Sequence, residues 1–377
     1  MYSRLYVHVP FCREKCGYCA FASAPPRQDE LAHYPALLLE ELKSHPTPSS
    51  PLRSVYFGGG TPSLLLPQQI GYLRGEIGKN LGIAPDAEIT LEANPGTVTA
   101  SSLSAFKDAG INRLSLGIQS FNDHFLKKLG RIHTAAQAEQ AFREARSAGF
   151  TAISIDLIHS LPGQQLEQWR NELHQALRLG PEHISIYGLT IEEHTPFAHL
   201  YPPGSPLLVE EDLSADMFEL ADQLLTEAGF EHYEIANYCR PGFASRHNCG
   251  YWTRDGYLGL GVAAHSFFRD GHGLRFSNAD DLPSYRHALH AGHSPSTTRQ
   301  YLTREEAMSE YLFLGLRLTS GISLAGFEEE CGISLESAYR SSLTDLIRLG
   351  LLRQQGDRLV LTPRGMLLSN QVFSRFL

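Results

Sequence analysis

A partial (β/α)6 barrel followed by a winged-helix-like module is the α/β fold that this sequence predicts. Three observations predict it. Six short apolar segments alternate with helix-periodic ones through the first 190 residues, the most distinctive polar residues fall just after those segments, and the pattern changes to helices and one hairpin beyond residue 302. Strands separated by helices pair in parallel through right-handed crossovers, and their chemistry collects at the carboxyl ends. Six strands are too few to close an eight-stranded barrel, so an open one is expected, with a doubly wound sheet as the alternative.

Strands are expected at 5–9, 54–57, 88–92, 113–117, 152–157 and 183–189, each a short apolar run of strand length. The intervening helices are expected at 31–43, 67–77, 101–109, 135–148 and 166–179, where apolar residues recur at helical spacing. Residues 208–228 read as a long amphipathic helix, followed by a strand-like Glu231-His232-Tyr233-Glu234-Ile235-Ala236-Asn237-Tyr238. The expected division is a barrel over 1–235, an irregular covering segment over 236–300, and the winged-helix-like module over 301–377. The covering segment is rich in Gly, His and aromatics with little periodicity, and the last module has a hairpin around Gln355-Gly356-Asp357.

Composition narrows the class of function. The 42% hydrophobic and 19% charged residues of the 377 describe an ordinary globular protein, and six cysteines fit a reducing compartment. The formal charge of −9 speaks against a nucleic-acid partner, and residues 304–377 hold eight arginines against nine acidic residues. The first residues lack a signal-peptide core, and no stretch approaches the roughly 18–20 apolar residues of a membrane helix. A cytoplasmic location is expected.

The densest chemistry lies in Cys12, Cys16 and Cys19, spaced C-x3-C-x2-C directly after the first strand. Thiolates this close can converge on one metal centre. A closed zinc site needs four ligands, yet Phe21 stands where a C-x-C continuation would supply a fourth thiol. A [4Fe–4S] cluster on three thiolates leaves one iron free for a small molecule. The alternatives are a zinc site completed by His8 or a distant histidine, and a disulfide that leaves the third cysteine unpaired.

Four further features follow successive strands. The second strand gives Gly58-Gly59-Gly60-Thr61-Pro62-Ser63, whose glycines expose backbone groups and admit a ligand, although a plain tight turn would look the same. The third ends at Glu92, a carboxylate able to accept from ribose hydroxyls or an amino group. The fourth ends at Gln119, a bidentate amide, and the fifth at Asp156. Arg131, in Leu129-Gly130-Arg131-Ile132-His133, can pair with a ligand carboxylate. Singly these are ordinary surface or capping groups; together they describe a pocket for a zwitterion carrying a sugar.

The cysteine loop, Gly-Gly-Gly-Thr-Pro-Ser, Leu-Glu-Ala-Asn-Pro-Gly-Thr, Gly-Ile-Gln-Ser-Phe, Leu-Gly-Arg-Ile-His and Asp156-Leu157-Ile158-His159, in this order and spacing, resemble the radical S-adenosylmethionine enzymes. More narrowly they resemble the branch that holds oxygen-independent coproporphyrinogen III oxidase and the HemW-type heme chaperones. The resemblance runs over roughly the whole chain and is strongest over 1–265. It implies a radical-SAM partial barrel in which Cys12, Cys16 and Cys19 ligate a [4Fe–4S] cluster and S-adenosylmethionine chelates the open iron. Reduction then yields a 5′-deoxyadenosyl radical, chemistry that belongs to the cofactors. It further implies Tyr6, Tyr18, Gly59, Gly60, Thr61, Glu92, Gln119, Arg131 and Asp156 as S-adenosylmethionine contacts.

Three features separate the chain from the oxidase of that branch. Phe21 replaces its fourth cysteine, its long leading extension is missing before Cys12, and Arg246-His247-Asn248-Cys249-Gly250-Tyr251-Trp252 carries the H-N-x-x-Y-W signature of the chaperones. His247 or Cys249 can ligate heme iron, and Tyr251 and Trp252 offer flat apolar surface, although a buried aromatic cluster would read the same way. His265 is a further candidate ligand. The expectation is a heme chaperone whose partners are heme and a heme-acceptor protein, membrane-bound respiratory proteins being the expected class. The rival is the oxidase, and a third is a radical enzyme with an unrelated substrate.

Overall fold

The computed structural model describes residues 2–27 and 29–377. All six expected strands are present: β1 (Arg4–Val9), β2 (Leu52–Gly59), β3 (Ile83–Ala93), β4 (Arg113–Gln119), β5 (Ile153–His159) and β6 (His183–Gly188). They are parallel and stand side by side in sequence order. A doubly wound sheet reverses its order at a switch point; this one does not, so the barrel reading holds. The helices between them are α1 (Glu30–Ser44), α2 (Pro67–Leu81), α3 (Ala100–Asp108), α4 (Asp123–Leu129), α5 (Ala135–Ser147) and α6 (Leu166–Leu179). Of these α4 was not foreseen, because seven residues are too few to display a helical period.

The strands alternate chemically, and each face has its own job. Leu5, Val7, Val9, Val55, Phe57, Leu91, Leu114, Leu116, Ile155, Leu157 and Ile184 are fully buried in one core with the helices. The intervening residues form a second, polar face: Arg4 donates to Ser54 across β1 and β2, Tyr56 to Glu92 across β2 and β3, and Ser115 to Asp156 across β4 and β5. Burying the first set removes apolar area from water and drives the fold. The second faces the barrel interior, where a filled barrel would carry branched aliphatics. A polar lining is one built to hold something.

Beyond β6 come α7 (Pro196–Leu200), α8 (Glu211–Glu227) and two short antiparallel strands, β7 (Glu231–Glu234) and β8 (Asn237–Cys239), that edge the sheet beside β6. The segment 236–300 departs from the expected irregular cover. After α9 (Arg246–Trp252), β9 (Tyr257–Leu260) pairs in parallel with β1. Then β10 (His265–Phe268), β11 (Leu274–Asn278), α10 (Leu282–His290) and β12 (Ser296–Tyr301) extend that edge antiparallel. Strands of four to six residues broken by Gly and His show too few periods to read. The resulting sheet has β12 and β7 as its edges and stays open.

The last module runs α11 (Arg304–Gly315), β13 (Ile322–Ser323), α12 (Leu324–Cys331), α13 (Leu335–Arg348), β14 (Leu352–Gln355) and β15 (Arg358–Leu361), then α14 (Pro363–Leu367) and α15 (Ser369–Phe373). This is the helix–strand–helix–helix–hairpin order of a winged helix, with its own core around Leu312, Phe327, Leu346 and Phe376. On α13 the charges pair with one another, Arg340 with Glu336 at 3.5 Å and Arg348 with Asp345 at 2.9 Å. These pairs, and the balance of eight arginines against nine acidic residues over 304–377, leave little net positive charge to release counterions from a duplex. The full chain is therefore expected to show no salt-sensitive binding in a fluorescence-anisotropy titration with duplex DNA. Among the described residues no helix is long and apolar enough to cross a membrane.

Candidate functional site

The cysteine loop is tied at its base and at its tip. Cys12 N–H donates to Ala24 C=O at 3.1 Å and Ala24 N–H to Pro10 C=O at 3.0 Å, which closes the base. His8 bonds Ala22 C=O through Nε2 at 3.0 Å while its Nδ1 meets the Tyr6 hydroxyl at 3.1 Å. At the tip, Gly17 N–H reaches Leu129 C=O at 3.2 Å, and Phe197 N–H reaches Gly17 C=O at 3.0 Å. Two glycines of β2 and its loop let this ring lie close. A Cβ on Gly60 would stand 2.6 Å from Phe11 O; one on Gly59, which has φ +108°, would stand 2.5 Å from the His8 ring.

Above the strand ends lies a cavity of about 460 Å³. Cys12, Cys16, Tyr18, Cys19, Gly59, Gly60, Thr61, Glu92, Gln119, Arg131 and Asp156 all line it. Tyr6 does not; it stands beside Tyr56, its register partner on β2, with ring centroids 6.1 Å apart. Thr61 Oγ1 is 3.5 Å from Cys12 Sγ, and an Arg131 guanidinium nitrogen is 3.3 Å from Cys16 Sγ while another donates to Gly117 C=O at 2.7 Å. Arg131 Nε is buried without a partner among the described residues. Gln119 has a φ of +69°, an uncommon conformation for a side-chain-bearing residue that costs on the order of 1–3 kcal/mol. The next two residues enforce it, since Ser120 Oγ and Phe121 N–H both donate to the buried Glu172 carboxylate.

Two carboxylates set the electrostatics. Glu92 accepts from Tyr56 Oη at 2.7 Å and Gly59 N–H at 3.2 Å, yet burial, reinforced by Asp156, pushes its pKa up to about 7. Burial raises Asp156 to about 6 against the pull of the Ser185 and Ser115 hydroxyls and Arg131. Both thus change charge close to neutral pH, the behaviour of groups kept dry for a ligand. Sequence reading missed Tyr56, Ser115 and Tyr187, the last two of which line the cavity, from β4 and the end of β6. Their signal was strand alternation: Tyr56, Ser115 and Tyr187 each stand two residues along from another inward polar group. For Glu172, inside α6, there was none.

The H-N-x-x-Y-W segment lies elsewhere. As α9 it plugs the opposite, amino-terminal mouth of the barrel, where Glu88 accepts from the N–H groups of Arg246 and His247 at 3.1 and 2.9 Å. His247 is 1% exposed, with Nδ1 on Ser54 Oγ and Nε2 on the Tyr251 hydroxyl, both at 2.8 Å. Burial, helped by Arg4, lowers its pKa to about 3. In this arrangement it presents no lone pair to an iron. Cys249 and Trp252 are half-buried, and burial raises the Cys249 thiol to about 11. His265 is exposed on β10.

The donor set fits a [4Fe–4S] cluster. All three thiols are free and share one cavity wall, each half-buried. Among the described residues no three His, Cys, Asp or Glu side chains stand as the ligands of a single ion. Arg131 and Thr61 donate toward sulfur, the kind of contact that tunes cluster ligands. Cys12, Cys16 and Cys19 would hold the cluster, which when bound supplies the electron for reductive chemistry. The protein's share is to orient the ligand and seal the floor.

Comparison with known proteins agrees with this geometry. The family description "Radical SAM superfamily" matches residues 6–176, and "HemN C-terminal domain" matches 302–368. The heme chaperone HemW of Lactococcus lactis subsp. lactis is 37% identical over 99% of this chain and 96% of its own length. That of Escherichia coli K12 is 35% identical over 99% and 97%. The solved structure of coproporphyrinogen III oxidase (HemN) from Escherichia coli, a radical SAM enzyme, matches with a TM-score of 0.85 at 24% identity, covering 100% of this chain and 90% of that one. That likeness is one of fold. The chain belongs to the radical SAM superfamily, in the family of the HemW heme chaperones.

Proposed function

We propose that this protein is a heme chaperone that carries a [4Fe–4S] cluster with S-adenosylmethionine, binds heme and passes it to an acceptor protein in the cytoplasm or at the membrane surface. The observation that carries this is end-to-end identity of 35–38% with HemW chaperones, over barrel and C-terminal module alike. The acceptor class that fits is a membrane-bound respiratory heme protein. In the pocket, Cys12, Cys16 and Cys19 hold the cluster, and Arg131 faces the carboxylate of S-adenosylmethionine. Glu92, Gln119 and Asp156 face its amino group and ribose.

Affinity for S-adenosylmethionine then depends on pH with a defined sign. Glu92 binds as a carboxylate, so affinity falls as pH drops from about 8 to about 6 through the Glu92 and Asp156 pKa values of about 7 and 6. Equilibrium dialysis across that range should show the fall, and Glu92→Gln should flatten most of it. A wild-type affinity that is level with pH contradicts the assignment.

For heme, the proposed contacts are the half-buried members of α9. Arg317 lies over the Trp252 ring at 4.4 Å, a flat apolar surface beside a cation, which suits a porphyrin with propionates. Anaerobic heme titration followed by absorption should give a ligated Soret band that weakens in Cys249→Ala or Trp252→Ala. A band unaltered by both, and lost only in His265→Ala, moves the heme site to β10.

A further inference from the structure

The most committed side chains outside the cavity are those beneath it. Tyr56 is held between two rings: Tyr6 on one side, with centroids 6.1 Å apart and planes 26° apart, and His247 on the other, at 5.0 Å and 30°. Its hydroxyl, thus aimed, donates to Glu92 at 2.7 Å. His247 is in turn fixed at both ring nitrogens, and its backbone N–H is fixed on Glu88. The helix bearing it cannot shift easily. Arg4 donates to Arg246 C=O at 2.5 Å and to Asp255 at 2.7 Å, and a Cβ on Gly250 would stand 1.7 Å from Arg4 Nε.

We infer that α9, from the opposite mouth of the barrel, braces the S-adenosylmethionine pocket from below, and that His247 and Tyr6 are positioning residues that clamp the Tyr56 ring so that its hydroxyl holds Glu92 toward the ligand. This rests on the pocket proposed above. The chain of contacts joins the H-N-x-x-Y-W helix to a ligand-facing carboxylate through one intermediate ring. It gives His247 a role that needs no iron, and it gives Tyr6 a role although it does not line the cavity. A buried carboxylate that loses a donor must reorient or take up a proton, and either change degrades its grip on a cation or hydroxyl.

The test uses the anaerobically reconstituted full chain, with S-adenosylmethionine affinity by equilibrium dialysis, heme affinity by absorption, and iron content measured on each variant. Tyr56→Phe, which keeps the ring and removes one oxygen, should weaken S-adenosylmethionine at least about tenfold with the cluster retained. His247→Ala should weaken it to a similar degree while leaving heme affinity within about twofold. The double variant should lose no more than the worse single one, since both act through one contact. His247→Phe, which restores a ring against Tyr56, should recover most of the loss, as a generally destabilised fold would not. Should His247→Ala fail to fold, Tyr56→Phe decides alone. Parental affinity in Tyr56→Phe, or a His247→Ala variant that loses heme and keeps S-adenosylmethionine, overturns the clamp and leaves the pocket standing. If the parent chain binds no S-adenosylmethionine, the pocket reading falls and the clamp with it.

Discussion

Serine at Cys12, Cys16 or Cys19 is expected to abolish the iron–sulfur cluster, whereas serine at Cys239, Cys249 or Cys331 leaves it at full content. The first three share one cavity wall at the end of β1, with Thr61 and Arg131 donating toward two of them. Cys239 and Cys331 are sealed in packed interiors, and Cys249 lies at the opposite barrel mouth. A cluster with three protein ligands has none to spare, so loss of one thiolate removes the holding geometry altogether. Iron and acid-labile sulfide analysis on each single variant measures this. Stoichiometric zinc without sulfide in the parent protein, or a full cluster in Cys16→Ser, contradicts it.

Arg131→Ala and Asp156→Ala are each expected to weaken S-adenosylmethionine by about 10- to 100-fold, the range for deleting one charged hydrogen-bonding partner in a dry site. Arg131 is the larger of the two, because it also donates to Cys16 Sγ and to Gly117 C=O and so joins the cysteine loop to β4. Its loss should therefore also accelerate cluster decay in air, an effect absent from Asp156→Ala. Calorimetric titration and the decay of the cluster's visible absorption separate the two contributions. Unchanged affinity in both variants, with circular dichroism as in the parent, contradicts the pocket.

The same separation of roles explains what was legible beforehand. The barrel strands could be read because Leu5, Val7 and Val9, or Ile153, Ile155 and Leu157, repeat at the strand period against one buried face. The site could be read because its residues sit immediately after those strands, where a parallel barrel always presents them. Sheet edges built of four-residue strands could not: β9 pairs with β1 across some 250 residues, and nothing in Tyr257-Leu258-Gly259-Leu260 announces that partner. Long-range pairing is settled by tertiary context. The surroundings of His247 were hidden for a related reason. A histidine among aromatic residues looks alike whether it faces a porphyrin or a serine and a tyrosine, and only the fold brings Ser54 to its Nδ1. Tyr6 shares the inward face with Tyr56 but is not among the residues lining the cavity, because strand alternation reports the face of a residue and not its height along the barrel.

The central claim is that a radical SAM scaffold here serves as a heme carrier. Its most direct test is to give the anaerobically reconstituted protein, with S-adenosylmethionine and a reductant, heme in one vessel and coproporphyrinogen III in another, and to analyse both by mass. The account predicts heme retained on the chain and then transferred to an added apo heme protein, with coproporphyrinogen III recovered unchanged. Multiple-turnover conversion of coproporphyrinogen III to protoporphyrinogen IX, with no heme retained, would contradict it.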